Sequence, residues 1–419
     1  MGADRDVIII GGGAAGIGAA RRLAGRGLSI LLLEASQRIG GRAFTMNVAG
    51  QALDLGCGWF HSADRNPWVD IAEASGFSVD RGTPAWGRQH RDLGFPPADR
   101  EAADEAYATW HDRLVTDPPR SDRAGDALEP SGAWNPWLQA RSGYMSGTEL
   151  ENLSIADYLA YDTASTRQNW RVPAGYGTLV AASLPDTVPL QLATPVEAIG
   201  LDPAGVSVAT RGGAVTARAA IVTVSTAVLT GGTIRLPAEL DAWRHAAADL
   251  PLGLNEKLFL EILGTSPFEP ETHVIGDPRD ARTGTYYVRP FGRPVIEGFF
   301  GGEGARALTE GGPAAGFAYA VDQLASLFGS DVRGKLRPLV ASGWSRMEHV
   351  GGAYSYALPG RVEARSLLAL PFDHRLFFAG EATHRDDYST AHGAFKSGIR
   401  AADEVLASLG PNGREGIVR

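Results

Sequence analysis

A continuous apolar run, Val7 to Ile10, leads directly into Gly11-Gly12-Gly13-Ala14-Ala15-Gly16, and no other stretch restricts the folding of the chain as much. Four consecutive branched aliphatic residues suit a parallel strand buried on both faces. Gly11 permits the sharp bend at the strand end, Gly13 lets backbone approach a pyrophosphate, and Gly16 lets the following helix pack closely on the sheet. Phosphates would then sit on the exposed N–H groups of that helix, from Ala15 outward. Ile17, Ala20, Leu23 and Ala24 form its apolar stripe, Gly27 is placed to stop it, and Leu28 to Leu33 make a second strand. Glu34 ends that strand, where a carboxylate can accept from a ribose hydroxyl and repel the extra phosphate of NADP. Strand, helix, second strand and acid in this order predict a dinucleotide-binding unit.

The rest of the chain must surround that unit. At 419 residues it is long for one hydrophobic core, so two domains are expected. The net charge of −9 argues against a nucleic-acid partner and does not oppose a cationic one. The first strand begins close to Met1, and no apolar run approaches the length of a membrane span. The expectation is a cytoplasmic protein without a membrane partner, its oligomeric state left open. Cys57 is the only cysteine, which excludes internal disulfides and paired-thiol redox chemistry. No metal cluster is evident. Of 39 basic residues only Lys257, Lys335 and Lys396 are lysines.

Along the chain, Gln51 to Gly56 reads as a strand and turn, and Trp68 to Ser75 as a helix. Residues 88 to 169 are polar and mostly helical, broken by a loop near Asp117 to Pro136, and read as an inserted cap. A helix is expected at Gly175 to Leu184. Short strands at Leu190 to Leu192, Val196 to Leu201, Val206 to Thr210 and Ala219 to Val224 suggest an antiparallel layer laid on the parallel sheet. Leu236 to Gly253 reads as helix, Lys257 to Ile262, Tyr286 to Val288 and Val295 to Phe300 as strands, and Pro313 to Phe328 as helix. Gly302, Gly304 and Ala307 form a second glycine string, but no acid ends a later strand at the required distance. The chain is expected to divide into residues 1–87, 172–240 and 338–419 as the dinucleotide-binding domain, and 88–171 with 241–337 as the substrate-binding cap.

Near the other end, Leu376 to Gly380 is a strand followed by Glu381-Ala382-Thr383 and by Ser389-Thr390-Ala391-His392-Gly393-Ala394. Ala391, Phe395, Ala402 and Leu406 give the closing helix an apolar face. Together with the opening motif and Gly40-Gly41-Arg42, this segment resembles the flavin-containing amine oxidases, which include monoamine oxidases, polyamine oxidases and flavin histone demethylases. The resemblance implies an α/β fold: a Rossmann-type FAD-binding domain with a discontinuous mixed α+β substrate-binding domain. It also implies that the N-terminus of the closing helix, at Thr390 to His392, faces the flavin, where its dipole stabilises negative charge near N1. Glu381 and Arg42 resemble the family's acid at the ribityl or pyrophosphate region and its phosphate-neutralising arginine, and Val196 resembles the residue whose backbone meets adenine.

Further matches concern the reacting end. Leu254-Asn255-Glu256-Lys257-Leu258-Phe259-Leu260-Glu261 looks like the strand carrying a lysine that reaches flavin N5 through a water; its continuation, Pro267-Phe268-Glu269-Pro270, leans toward polyamine oxidases. Trp344 and Gly351-Gly352-Ala353-Tyr354 resemble the segment in which several monoamine oxidases carry a flavin-bound cysteine; Ala353 stands at that position, so FAD is expected to be non-covalent. Tyr354 resembles one of two aromatic residues flanking the substrate amine, while the second position falls on Thr390. Leu55-Gly56-Cys57-Gly58-Trp59-Phe60-His61 resembles a Gly-x-x-Trp-x-His segment of polyamine oxidases, which would set Gly58 and Trp59 along the flavin and His61 near the substrate channel.

The resemblance implies oxidation of a small-molecule amine by hydride transfer to flavin N5. The imine would hydrolyse to an aldehyde or ketone plus amine or ammonia, and dioxygen would be reduced to hydrogen peroxide. An L-amino-acid oxidase on the same fold and a non-enzymatic flavoprotein, scaffold or redox sensor, stay open as alternatives.

Overall fold

The computed structural model describes residues 3–202, 205–265 and 268–410, so Pro267 lies outside the described residues. Its first layer is a seven-stranded sheet built around Arg5–Ile10. The strands run Leu190–Gln191, Ile30–Leu33, Arg5–Ile10 and Gly213–Val222 in space, all parallel, with Leu376–Phe378 pairing in parallel beyond the C-terminal half of the last. The apolar run divides as a doubly covered strand must: Val7 and Ile9 enter the core on one face, Ile8 and Ile10 the core on the other. Each is at most 2% exposed, and burying such a side chain contributes about 1.5–3 kcal/mol.

The short strands after residue 195 do not form a separate layer. Val196–Asp202 and Gly205–Thr210 pair antiparallel and continue the parallel sheet through the N-terminal half of Gly213–Val222. That ten-residue strand serves both partners, which is why it begins well before Ala219.

The helix after the glycine turn spans Ala14–Leu23 and ends a turn before Gly27. The closing helix, Ala391–Leu409, lies against it. Their crossing depends on missing side chains: a Cβ on Gly398 would come 1.9 Å from the Ala15 carbonyl oxygen, and one on Gly18 2.5 Å from that of Phe395. Backbone contact at this crossing joins the two ends of the chain.

The second unit holds a five-stranded antiparallel sheet in the order Thr272–Ile275, Thr285–Val288, Val295–Gly301, Asn255–Ile262, Leu336–Ala341. Asn135–Ser146 packs on Val295–Gly301, and Pro97–Thr116 and Ile155–Ala164 share a core with it that takes in Ile275, with the irregular segment between Pro97–Thr116 and Asn135–Ser146 falling where expected. The second glycine string opens a helical segment, Gly302–Phe328, that breaks at Gly312 with φ 76°, so the helix expected from Pro313 to Phe328 is present and a further helical stretch precedes it. The glycine at its N-cap, which ends the strand Val295–Gly301, permits close packing: a Cβ there would meet the Gly143 carbonyl oxygen at 2.0 Å. Of the segment expected as helix from Leu236 to Gly253, Asp241–Ala248 is α-helical, preceded by a 3-10 turn at Ala238–Leu240.

Two expected boundaries shift. Ala246, Ala247 and Leu250 pack in the core of the first sheet, so the boundary at 240/241 falls too early. Leu336–Ala341 pairs with Asn255–Ile262, so the boundary at 337/338 cuts a strand of the second sheet. Among the described residues, no helix is long and apolar enough to cross a membrane.

The helix crossing makes a quantitative expectation. Gly398→Leu must push the two end helices apart, so overpacking should lower unfolding stability by about 1–3 kcal/mol. Denaturant melts of the variant and of Ala407→Leu, at an exposed position of the same helix, check this; equal midpoints would contradict the crossing.

Candidate active site

One cavity of about 1240 Å³ opens along the C-terminal ends of the parallel strands and runs between the two units. That exceeds the roughly 300–1,000 Å³ of a drug-sized ligand pocket, leaving room for a dinucleotide and a substrate together. Of the residues expected at the site, all but Gly16 line it. Gly16 lies behind the turn instead, where a Cβ would stand 1.9 Å from the Gly11 carbonyl oxygen.

At the dinucleotide end Gly11 has φ 105°, a conformation that glycine alone adopts readily. The helix Ala14–Leu23 has no side-chain cap and no acid in its first turn. Its first N–H groups have no intrahelical acceptor, and the cavity passes Gly13, Ala14 and Ala15. A pyrophosphate fits those donors and the dipole behind them. Gly41 lies across from Gly13, and Val196 lines the same end. Glu34 accepts from the Gly12 N–H at 2.7 Å and the Ser36 N–H at 2.8 Å, which fixes its carboxylate where a ribose would lie.

Arg42 and Glu381 connect the opening and closing segments. The Arg42 Nη1 is 2.9 Å from Glu381 Oε1 and donates to the Ala353 carbonyl at 2.5 Å. Glu381 also accepts from the Ser355 hydroxyl at 2.6 Å and the Ser389 N–H at 2.9 Å. Burial disfavours its charge, but Arg42, Ser355 and Arg365 outweigh burial and hold its carboxyl below the usual range. Gly380, with φ 143°, sets the turn into this acid.

Thr390 is the N-cap of the closing helix. Its hydroxyl accepts from the Gly393 N–H at 2.9 Å and donates to the Asp387 carbonyl at 2.6 Å. The hydroxyl proton is therefore committed to the cap, while Thr390 itself still lines the cavity. The helix start presents Ala391 and His392 to the cavity. Asp387, just before it, is bound by Arg65, Lys396 at 2.8 Å and His392 at 3.1 Å. Against the opposing effect of burial, these partners hold its carboxyl far below the usual range.

Lys257 is 8% exposed on its strand. Its Nζ is 2.7 Å from Glu297 Oε1 on the adjacent strand and donates to the Asp54 carbonyl at 3.1 Å. A Cβ on Gly58 would lie 3.4 Å from the same nitrogen, so the lysine stands beside the Gly58-Trp59 segment. Trp344 has a largely supporting place: it is 5% exposed, packs with Leu53, Leu55 and Phe259, and donates its indole N–H to the Leu55 carbonyl at 3.0 Å. Tyr354 lines the chamber with its hydroxyl donating to the Tyr144 carbonyl at 2.5 Å, and burial pushes that hydroxyl up.

His61 Nδ1 is 2.8 Å from the Asn169 carbonyl oxygen, whose own amide donates to Arg167. This assigns the proton to Nδ1. Burial lowers the His61 pKa to about 4, so the ring is uncharged at neutral pH. Cys57 also lines the cavity, and burial pushes its thiol up to about 12, which rules out a thiolate there at neutral pH.

Sequence reasoning missed Trp86, whose ring centroid is 4.2 Å from that of Trp59, as well as Tyr287 and Glu297. A tryptophan at position 86 within a polar, glycine- and arginine-bearing segment was a usable signal. The pairing of Glu297 with Lys257 depends on cross-strand register and leaves no local pattern.

The profile of the flavin containing amine oxidoreductase family matches residues 88–406, and that of an NAD(P)-binding Rossmann-like domain residues 9–73. Polyamine oxidase 2 of Arabidopsis thaliana is 27% identical over 95% of this chain and 87% of its own length. Polyamine oxidase 1 of Oryza sativa subsp. japonica is 28% identical over 96% of each. A solved putrescine oxidase bound to putrescine superposes with a TM-score of 0.74 at 20% identity, covering 96% of this chain and 99% of that one. The fold, the dinucleotide cradle and the family match over most of the length lead to one assignment: the chain belongs to the flavin-containing amine oxidoreductases and is an oxidoreductase acting on amines.

Proposed function

We propose that this protein oxidises a primary or secondary amine, with FAD held non-covalently along the cavity and dioxygen as electron acceptor. The observation that carries this reading is the single cavity in which the dinucleotide cradle leads to Lys257, Trp59 and Tyr354. The chemistry FAD supplies when bound is acceptance of hydride at N5 from the carbon beside the substrate nitrogen, giving an imine that water hydrolyses and, with dioxygen, hydrogen peroxide.

The chain's residues prepare the substrate. A free alkylamine is mostly protonated at neutral pH, as lysine is with a pKa near about 10, yet only the uncharged amine releases hydride. Trp59, Tyr354 and the neutral His61 form walls that disfavour the ammonium. Lys257, fixed by Glu297 and the Asp54 carbonyl, offers its remaining donor to water in the chamber. The helix start at Ala391 and His392 brings a positive dipole end to the opposite side.

Anaerobic mixing of the flavin-loaded protein with amines and L-amino acids tests the reading. Bleaching of the flavin band by at least one amine is expected; bleaching by amino acids alone would move the assignment to their oxidation.

With Ala353 in place of a thiol, acid or heat should release all the flavin into the supernatant. Flavin that stays with the denatured chain would contradict non-covalent binding. Lys257→Met should retain FAD but slow flavin reoxidation by roughly 10²-fold, the low end of general acid–base effects. Stopped-flow reoxidation measures this directly, and an unchanged rate would remove Lys257 from the reaction.

A further inference from the structure

The substrate half of the cavity lacks a free anion. Among the described residues lining the cavity, the carboxylates are Glu34, Glu197, Glu297, Glu348 and Glu381. Glu34 and Glu381 belong to the dinucleotide end, as do Glu197 beside Val196 and Glu348 in the loop that bonds Ser225 through Val350. Only Glu297 faces the reacting end, and it is bound to Lys257. Beyond that pair the charged group on the cap side is a cation, Arg141, stacked over Tyr107 at 3.8 Å, and His61, Asn169 and His273 are neutral, the last held by burial at a pKa of about 4.

An aromatic wall can replace a carboxylate as a partner for an ammonium. Here that wall already serves a cation. Arg171 is 8% exposed, and its guanidinium carbon lies 4.8 Å from the centroid of Trp59, 5.2 Å from that of Tyr287 and 4.2 Å from that of Phe291. Arg171 and Phe291 do not line the cavity; the guanidinium sits behind Trp59 and Tyr287, which do. Its charge is met from the far side by Asp80 at 2.6 Å and Glu271 at 2.8 Å. Those two acids are thereby committed, and the Tyr287 hydroxyl donates to Glu271 as well.

We propose that Arg171 is a specificity-determining residue that turns the Trp59–Tyr287 wall against a second ammonium, so that the substrate is a monoamine whose remote part is an uncharged aromatic group. This deepens the amine-oxidation reading and rests on it. A second cation on the chamber face of these rings would share their π density with the guanidinium behind them and find no free carboxylate. An aryl tail gains the same rings as packing surface, with Trp86 as a further wall at the mouth, 38% exposed.

The test compares reductive half-reactions of the flavin-loaded protein with phenethylamine, butylamine, 1,4-diaminobutane and spermidine. Phenethylamine should reduce the flavin at least tenfold more efficiently than either polycation, and 1,4-diaminobutane no better than butylamine. Arg171→Gln frees Asp80 and Glu271 behind the wall and should raise the ratio of diaminobutane to phenethylamine efficiency about tenfold. Preferred reduction of the wild type by 1,4-diaminobutane or spermidine overturns the inference while leaving amine oxidation standing, and this comparison needs no variant. An unchanged ratio in a folded, flavin-loaded Arg171→Gln protein overturns the role of Arg171. If no amine reduces the flavin, the broader reading falls and takes this one with it.

Discussion

A buried chain of charges holds the two ends of the protein and its cap in one arrangement. Arg42, from the opening segment, meets Glu381 in the closing one; Glu381 binds Ser355; the Ser355 hydroxyl accepts from Arg365 at 2.9 Å; and Arg365 grips Asp157 of the cap helix through two bonds of 2.5 and 2.8 Å. Arg365 and Asp157 are at most 1% exposed. Taking two such charges out of water costs several kcal/mol each, which the pair recovers only through good geometry and further hydrogen bonds. Both conditions are met: Asp157 also accepts from the Ala357 N–H at 2.9 Å, and the Arg365 guanidinium lies 3.6 Å over the Tyr388 ring. A chain like this contributes less to net stability than to uniqueness, because any displacement of the cap strands a buried charge.

That requirement explains the form of the cavity. Its floor is set by strand ends of the first sheet, its roof by the second sheet and cap, and the charged chain fixes their separation. Electrostatics then divide it. The dinucleotide half offers helix N–H groups, Arg42 and Arg38 to anionic groups. In the reacting half Lys257 is paired with Glu297, Arg141 is stacked over Tyr107, and the rest of the lining is mostly aromatic or neutral. The same lack of free carboxylate that disfavours a remote ammonium also favours the uncharged form of the reacting amine, so activation and selection arise from one property.

Features determined by near neighbours in the chain were legible in the sequence. Val7 to Ile10, the glycine turn and Glu34 form one local unit, and each residue occupies its expected place along the cavity or behind it. Arg42 and Glu381 were legible through a family resemblance, but their direct bond was not. The two strands of the second sheet that escaped notice, Thr272–Ile275 and Leu336–Ala341, are its edges. Edge strands need to satisfy one neighbour only, so Pro338 is tolerated and the apolar alternation weakens. The second aromatic position of the resemblance falls on Thr390, and its use as a helix cap came to light only with the backbone geometry around it. Glu297 and Arg171 lie far along the chain from Lys257 and Trp59, and only cross-strand register and tertiary packing bring them together.

The same geometry ties cofactor binding to folding. The cavity separates the starts of the first and last helices from the cap, and both starts direct N–H groups without intrahelical acceptors toward it. Water can satisfy those donors, but an anionic dinucleotide does so while also burying the aromatic walls. Because the bound group contacts segments from both ends of the chain and from the second sheet, its affinity for the unfolded chain should be negligible. Its binding free energy is then added almost entirely to the stability of the folded state, about 2.7 kcal/mol when its free concentration is a hundred times Kd. The glycine crossing of the end helices and the charged chain below the cap thus prepare a folded state whose remaining stabilisation comes from the cofactor it binds.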